Sequence, residues 1–447
     1  MSFPKYPDYK DSGVVWLGEV PDYWESWKVS HSFLSIGSGT TPNSDSCEWY
    51  DGTILWVTTG ELRENVINDT FKKVNENALK NFSALRVHPA GSLAIAMYGA
   101  TIGRLGILGI DATTNQACCV LSNPTSITTR FMFYWFLGHK EHIIALYATG
   151  GGQPNINQDI VRGFRVPVPS IEDQNVISSF LDRETAKIDA LVAEQEKLIE
   201  LLKEKRQAVI SHAVTKGLNP NVPMKNSGVE WLGEVPEHWE VVRLKRISPE
   251  ITVGIVVEPS KYYVEDGVPA LRSLNVQPGR IVTDNFVFIS EESNEQLRKS
   301  RLNEGDLVAV RSGQPGTTAV VPHDLDGANC IDLIIIRKPD NYCEQFLCWY
   351  LGSDVAVRQF TEGTGGAIQQ HFNIGTAMNL LVTFPSIKEQ REIVTKIEQE
   401  TLRLDQLIFE AQLAIDLLKE RRSALISAAV TGKIDVRNHI PEVQEAV

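Results

Sequence analysis

Apolar side chains recur at alternating steps of four and three at Ile177, Leu181, Ile188, Leu191, Leu198, Leu202 and Val209, with Glu184, Gln195, Lys205 and His212 filling the same series. This spacing is the seam of a coiled coil. It returns 216 residues later at Ile393, Ile397, Glu400, Leu404, Leu407, Ala411, Ala414, Leu418, Arg421, Leu425 and Ala428, again with an acid third and a base ninth. Neither run holds a proline or a glycine, so each predicts one helix of about 40 residues, roughly 60 Å long. One apolar stripe is poorly solvated, so the pattern predicts that the helices pair with each other rather than lie on two separate cores. In an antiparallel pair, Glu184 and Glu400 would meet Lys205 and Arg421 across the axis and fix register. Val192, Ile199 and Ile210 fall on the outer faces. They read either as partner contacts or as buried residues.

Acids in the first turns (Glu172 and Asp173; Glu389) follow Pro169-Ser170 and Pro385-Ser386, and Gly217 and Gly432 end the runs, as the helix dipole and left-handed caps favour. Short apolar runs at 53–58, 92–97, 104–109 and 117–121 read as strands, and 307–311, 319–321 and 333–336 match them. Residues 131–147 and 342–360 each read as one helix. The expected fold class is α/β (α+β): two mixed α/β domains separated by two long helices in an antiparallel coiled coil, with a pseudo-twofold internal repeat. Residues 1–168 and 218–384 form the domains, 169–217 and 385–433 the long helices, and 434–447 a tail.

The repeat is explicit. DSGVVWLGEVPDYWE at 11–25 returns as NSGVEWLGEVPEHWE at 226–240. GSLAIA at 91–96 parallels GDLVAV at 305–310, and WFLG at 135–138 parallels WYLG at 349–352. PSIEDQ at 169–174 and PSIKEQ at 385–390 open the long helices; AVTKG at 213–217 and AVTGK at 429–433 close them. Residues 219–224 link the halves.

Composition adds limits. At 447 residues and 43% hydrophobic, the chain has ample core for two or three domains. No apolar run reaches the roughly 18 residues of a membrane span, and Met1 to Lys10 does not read as a signal peptide. Six cysteines without metal-type spacing read as reduced thiols of a cytoplasmic protein. A net charge of −13 opposes non-specific coating of nucleic acid, which depends on phosphate neutralisation, and any affinity would draw on a partner.

Catalytic signatures are missing from the sequence. There is no phosphate-binding G-x-x-x-x-G-K-[ST] loop, and GATIG at 99–103 lacks dinucleotide spacing. No Asn-Pro-Pro-aromatic or Asp-Pro-Pro-aromatic tetrapeptide occurs. His88, His238, His323 and His371 lack obvious carboxylate or cysteine companions. What the sequence does offer is polar loops after strand-like runs. Arginine bonds guanine O6 and N7, and Asn or Gln bonds adenine N6 and N7. In the second half the candidates are Arg272, Ser273, Asn275, Arg311, Ser312, Gln314, Gln369 and Gln370. In the first half they are Thr58, Thr59, Arg63, Tyr98, Thr101, Arg104, Gln153 and Asn155. The framework repeats while these loops differ, as expected of two similar modules reading two different sequences.

The paired SGVxWLGEVPxxW boxes, the PSIxxQ openings and the AVT closings resemble the specificity subunit of a Type I restriction-modification system, over the whole chain. That resemblance implies that the two domains, 1–168 and 218–384, are target-recognition domains, each reading half of a split, asymmetric site in double-stranded DNA. It implies helices that set the spacer and dock two modification (methyltransferase) subunits, with motor-nuclease restriction subunits joining them. S-adenosylmethionine, ATP and Mg would sit on those partners, with none in this chain, which would be non-catalytic. The rivals are a specificity chain serving a fused nuclease-methylase partner and a coiled-coil scaffold that binds protein alone.

Overall fold

A computed structural model describes residues 3–43, 47–147, 155–362 and 372–439. The chain divides into two units, Met1–Gln195 with Leu413–Val447, and Glu196–Gln412. Two long helices, Ile171–Lys216 and Ile387–Val430, each contribute to both.

The helix starts show what the repeated PSIxxQ motif does. Ser170 and Ser386 accept hydrogen bonds from the amides of Asp173 (3.1 Å) and Glu389 (3.3 Å), satisfying donors that a first turn leaves open. Gln174 is fully buried; it donates to the carbonyls of Ser126 and Pro169 and accepts from the Thr128 amide. Gln390 does the same with Pro385 O and the Cys343 amide. Each glutamine thus ties the start of a long helix to the start of a globular-unit helix.

The SGVxWLGEVPxxW boxes act at the other ends. Gly217 and Gly432 both take φ +73°. Buried Trp239 lies against Gly217, and Trp24 with Pro21 lies against Gly432. Each box therefore packs on a left-handed helix cap.

Within the first unit, Ile177, Phe180 and Leu181 share a core with Ile426, Ala429 and Val430. Within the second, Ile210, Ala213 and Val214 share one with Ile393, Val394 and Ile397. In each case the early part of one helix packs with the late part of the other, so the pairing is antiparallel. The expected acid–base contacts are displaced. Glu184 bonds Arg183 and Lys187 of its own helix, and Glu400 bonds Lys396. The cross-helix pairs are Asp189–Arg422 in the first unit and Arg206–Asp405 in the second, related to each other by the 216-residue repeat.

The seam also rotates. Leu191 and Leu198 are 45% and 41% exposed, whereas Ile199 and Ile210 are 9% and 2% exposed. Of the two roles open to Ile199 and Ile210, the buried one is realised, and Val192 is half-buried. A helix of 3.6 residues per turn drifts by about 20° per heptad from a strict 3.5-residue repeat, so extrapolating the seam along the whole helix misplaces its middle.

In the first unit, β1 (Phe33–Ser38), β2 (Ile54–Val57), β3 (Asn65–Ile67), β4 (Lys73–Val74), β5 (Leu93–Ala96), β6 (Leu105–Leu108), β7 (Ala112–Thr114) and β8 (Cys118–Pro124) build two sheets, in the orders β1-β8-β5-β6-β3 and β7-β2-β4. In the second, β9 (Ile251–Val253), β10 (Val268–Leu271), β11 (Leu307–Val310), β12 (Thr318–Val320), β13 (Asn329–Cys330) and β14 (Leu333–Ile336) give one sheet ordered β9-β14-β11-β12. In the other, β13 runs parallel to β10 and β10 pairs with Val287–Ile289. The central runs, LAIA, LVAV and LIII, are buried at every position, which is why they lack polar alternation. In both units the chain crosses from one sheet to the other at a short bend: 115–117 between β7 and β8, and 331–332 between β13 and β14.

Helix α1 (Thr129–Tyr147) is continuous. Its counterpart, expected as one helix, is two: α2 (Glu344–Leu351) and α3 (Asp354–Glu362). The break at Gly352-Ser353 is held by the first long helix, where Gln207 donates to Gly352 O and Ser211 accepts from the Asp354 amide. Gly138 instead stays helical and lets the second long helix approach, with Ser427 Cα 3.2 Å from where a Cβ would stand.

Residues 435–437 pack within the first unit. The Asp435 amide bonds Pro4 O, Val436 is buried in the core, and Arg437 lies 4.8 Å from the Tyr6 ring centroid. No helix among the described residues is long and apolar enough to cross a membrane.

Candidate nucleic-acid interface

Backbone hydrogen bonds gather the strand ends of the first unit at one edge. The Asn115 amide bonds Val57 O, the Met97 amide bonds Ala117 O, and the Glu64 amide bonds Leu105 O. The segments after β2 and β5, the start of β6 and the 115–117 bend therefore meet. Thr58 begins a one-turn cap in which Glu61 accepts from the Thr58 amide (2.6 Å) and hydroxyl (3.1 Å). Thr59 is half-buried in that turn, and Arg63 is exposed, donating from Nε to Gly60 O. Tyr98, Thr101 and Arg104 are half-buried, and Tyr98 pairs through its backbone with exposed Asn155. Burial raises the Tyr98 pKa, so its hydroxyl stays protonated at neutral pH. Gln153 lies outside the described residues.

The second unit repeats this frame. The Ile331 amide bonds Leu271 O, and Val310 pairs with Leu333. Arg272 thus follows β10 on one side of the 331–332 bend, and Arg311 follows β11 on the other. The Arg272 amide donates to Asn275 Oδ1 (2.9 Å) as Thr58 does to Glu61. Asn275 departs from the expected base contact. It is fully buried, and its amide nitrogen donates to the carbonyls of Val282 and Asp284. Its side chain shapes the turn, and no donor remains for a base. Ser273 and Gln314 are exposed, as is Ser312. Gln369 and Gln370 lie outside the described residues. Arg311 forms an ion pair with Asp332, and Arg272 Nη2 donates to Asn285 O at 2.7 Å. Both anchors sit at residues of left-handed backbone, φ +52° at Asp332 and +59° at Asn285.

Residues 21–201 match the sequence model of the Type I restriction modification DNA specificity domain. The chain is 24% identical to the Type I restriction enzyme MjaVIII specificity subunit of Methanocaldococcus jannaschii, over 98% of both chains. It is 23% identical to the EcoBI specificity subunit of Escherichia coli over 72% of this chain and 69% of that one. Over nearly its whole length the chain is thus similar to Type I restriction-modification specificity subunits. Its fold agrees with solved structures of such subunits. The HsdS subunit from Thermoanaerobacter tengcongensis aligns with a TM-score of 0.54 at 16% identity, over 93% of this chain and 98% of its own. A chain from work on complex assembly and conformational transition of the type I R-M system gives 0.72 at 15% identity, over 94% and 99%.

The two edges differ in their side chains. Thr58 stands where Arg272 does, and Met97-Tyr98 where Arg311-Ser312 does. At the bend, uncharged Asn115-Gln116 stands where Ile331-Asp332 does. Sequence reading missed the two bends. Gln116 is exposed and accepts a hydrogen bond from the Thr41 hydroxyl; Asp332 holds Arg311. The available signal was a polar residue one or two positions before a buried apolar run at matching places in both repeats. Phe71, also missed, is 95% exposed, with its amide on Glu61 Oε1 (2.7 Å).

No group of His, Cys, Asp and Glu among the described residues is arranged to hold a metal ion. His238 and His323 do have carboxylate partners, Glu389 (3.1 Å) and Glu304 (2.9 Å), which distance in sequence had concealed. His88 bonds Ser122, and His371 lies outside the described residues. Cys118, Cys119, Cys330 and Cys348 are buried, and burial pushes the Cys119 and Cys348 thiols up to about 12, which leaves them protonated and unreactive at neutral pH.

Proposed function

We propose that this chain reads a bipartite, asymmetric DNA site, one half with the loop edge of each unit. As a specificity subunit it recognises DNA sequence and assembles with other restriction-modification subunits. In the finer reading, residues 1–168 and 218–384 are the recognition domains. The helices at 169–217 and 385–433 set the spacer and dock two modification subunits, and 434–447 form the tail. S-adenosylmethionine, ATP and Mg belong to partners, and this chain contributes recognition alone. The reading residues are Thr58, Thr59, Arg63, Tyr98, Thr101, Arg104 and Asn155 in the first unit, with Arg272, Ser273, Arg311, Ser312 and Gln314 in the second. Asn275 is withdrawn as a base contact.

The observation that carries this reading is the shared frame with exchanged edge chemistry. Backbone geometry repeats from unit to unit, while the side chains at equivalent places change from Thr, Tyr and Gln to Arg, Ser and Asp. Sequence is read by donors and acceptors at base edges, so one frame with two sets of donors fits two different half-sites. The test is to replace residues 30–165 by the same region of a relative and map methylated sites made with the partner subunits. One half-site should change and the other persist. A change in both, or in neither, would defeat the reading.

A further inference from the structure

We propose that Asp332 is a positioning residue that holds the Arg311 guanidinium to read a guanine in the half-site taken by the second unit. This rests on the reading of that edge as DNA-facing. Asp332 is the bend residue between the two sheets, directly across from Arg311 in the continuation of the β11–β14 pairing. Its Oδ1 takes Arg311 Nη1. The Arg311 side chain is 23% exposed and that of Asp332 50%. Among the described residues Arg311 Nε is buried without a hydrogen-bond partner, so what solvent reaches of the guanidinium excludes Nε. The main chain is fixed as well, because Arg311 O accepts from the Phe372 amide and the Arg311 Cα lies one residue past a fully buried strand.

An arginine meant to clamp phosphate works best as a free cation. Here the carboxylate offsets that charge and leaves directional donors in a fixed plane. Two such donors match guanine O6 and N7, the acceptor pair unique to guanine in the major groove. The neighbouring Arg272 is anchored by a neutral carbonyl, Asn285 O, and keeps its full charge. The same edge thus holds one charge-neutralised arginine and one cationic one.

The test uses the chain assembled with its modification subunits. Methylated-site sequencing gives the motif, and the unit exchange above assigns its halves. The second unit's half-site is expected to contain a guanine whose replacement by another base slows wild-type methylation roughly 5- to 150-fold, the value of one bidentate contact, and whose replacement by 7-deazaguanine, which lacks only the N7 acceptor, slows it by less. Asp332→Gly removes the anchor without backbone strain, since glycine takes positive φ freely. It should erase discrimination at that one position while binding to random duplex stays equal or rises and the unfolding midpoint holds. Asp332→Asn, which keeps the Oδ1 acceptor, should retain most of the discrimination. Arg311→Lys, which lacks the fork, should lose it. A half-site without guanine, an Asp332→Gly variant weakened equally at every position, or one unchanged throughout would overturn the proposal. A wild-type complex that selects no bipartite motif would overturn the parent reading and this proposal with it.

Discussion

Replacing Asn275 with alanine separates turn-shaping from base contact. The substitution removes a fully buried amide that accepts from the Arg272 amide and donates to Val282 O (3.2 Å) and Asp284 O (2.9 Å). Each such bond contributes about 1 kcal/mol net, and more is lost where a buried donor is left unpaired, as the Arg272 N–H would be. The expected cost is about 2–4 kcal/mol. In a unit of this size, 1 kcal/mol moves the midpoint by about 2–4 °C, giving a fall of roughly 5–15 °C. Calorimetry on the full chain reads the midpoint, and methylated-site mapping with the partners reads selectivity. Both stability and second-unit selectivity should fall together, with the first unit's half-site preserved. Wild-type stability combined with altered preference at a single base would refute this, since the amide would then be touching DNA.

Three further outcomes follow from the geometry. Gly217→Ala and Gly432→Ala each force a left-handed alanine, costing about 1–2 kcal/mol; Gly432→Ala should cost more, because its Cβ would meet Pro21 Cδ at 2.3 Å whereas the nearest atom to Gly217 is Trp239 Cζ2 at 3.2 Å, and equal unfolding midpoints would contradict that. A double-mutant cycle on the half-exposed Arg206–Asp405 pair should return only about 0.2–1 kcal/mol of coupling, so a value above 2 kcal/mol would show that the pair is desolvated in solution. Burial holds His139 at about 4, below the ordinary 6.5, so unfolding takes up a proton as pH falls; its neutral form stabilises fully above pH 6.5, and roughly 3 kcal/mol is lost between there and pH 4. Denaturant unfolding of His139→Phe should therefore show a shallower fall over that window, and parallel profiles would remove His139 as the cause.

The long helices were legible because their signals are local and redundant: a sustained seam, serine caps, first-turn acids and closing glycines, all present twice. The repeat also made the strand ends legible, since buried runs such as LVAV and LIII are bounded by polar residues. What sequence could not supply was side-chain direction. Arg272 and Asn275 lie three apart in one loop, yet one reaches the edge and the other is consumed inside the turn, and only the carbonyls of Val282 and Asp284 decide which. Asp332 was passed over because its partner, Arg311, is 21 residues away and is brought opposite only by strand pairing. The acid–base pairs were misassigned for a related reason. The true pairs lie beside the seam and not on it, where long side chains reach across the flank of the helix pair.

The most direct test of the central claim is to sequence methylated adenines in genomic DNA from cells expressing this chain with its modification subunits. The account predicts one motif in two specified parts with an unspecified gap and different sequences on either side. A continuous motif, or two identical halves, would contradict the assignment of a distinct half-site to each unit.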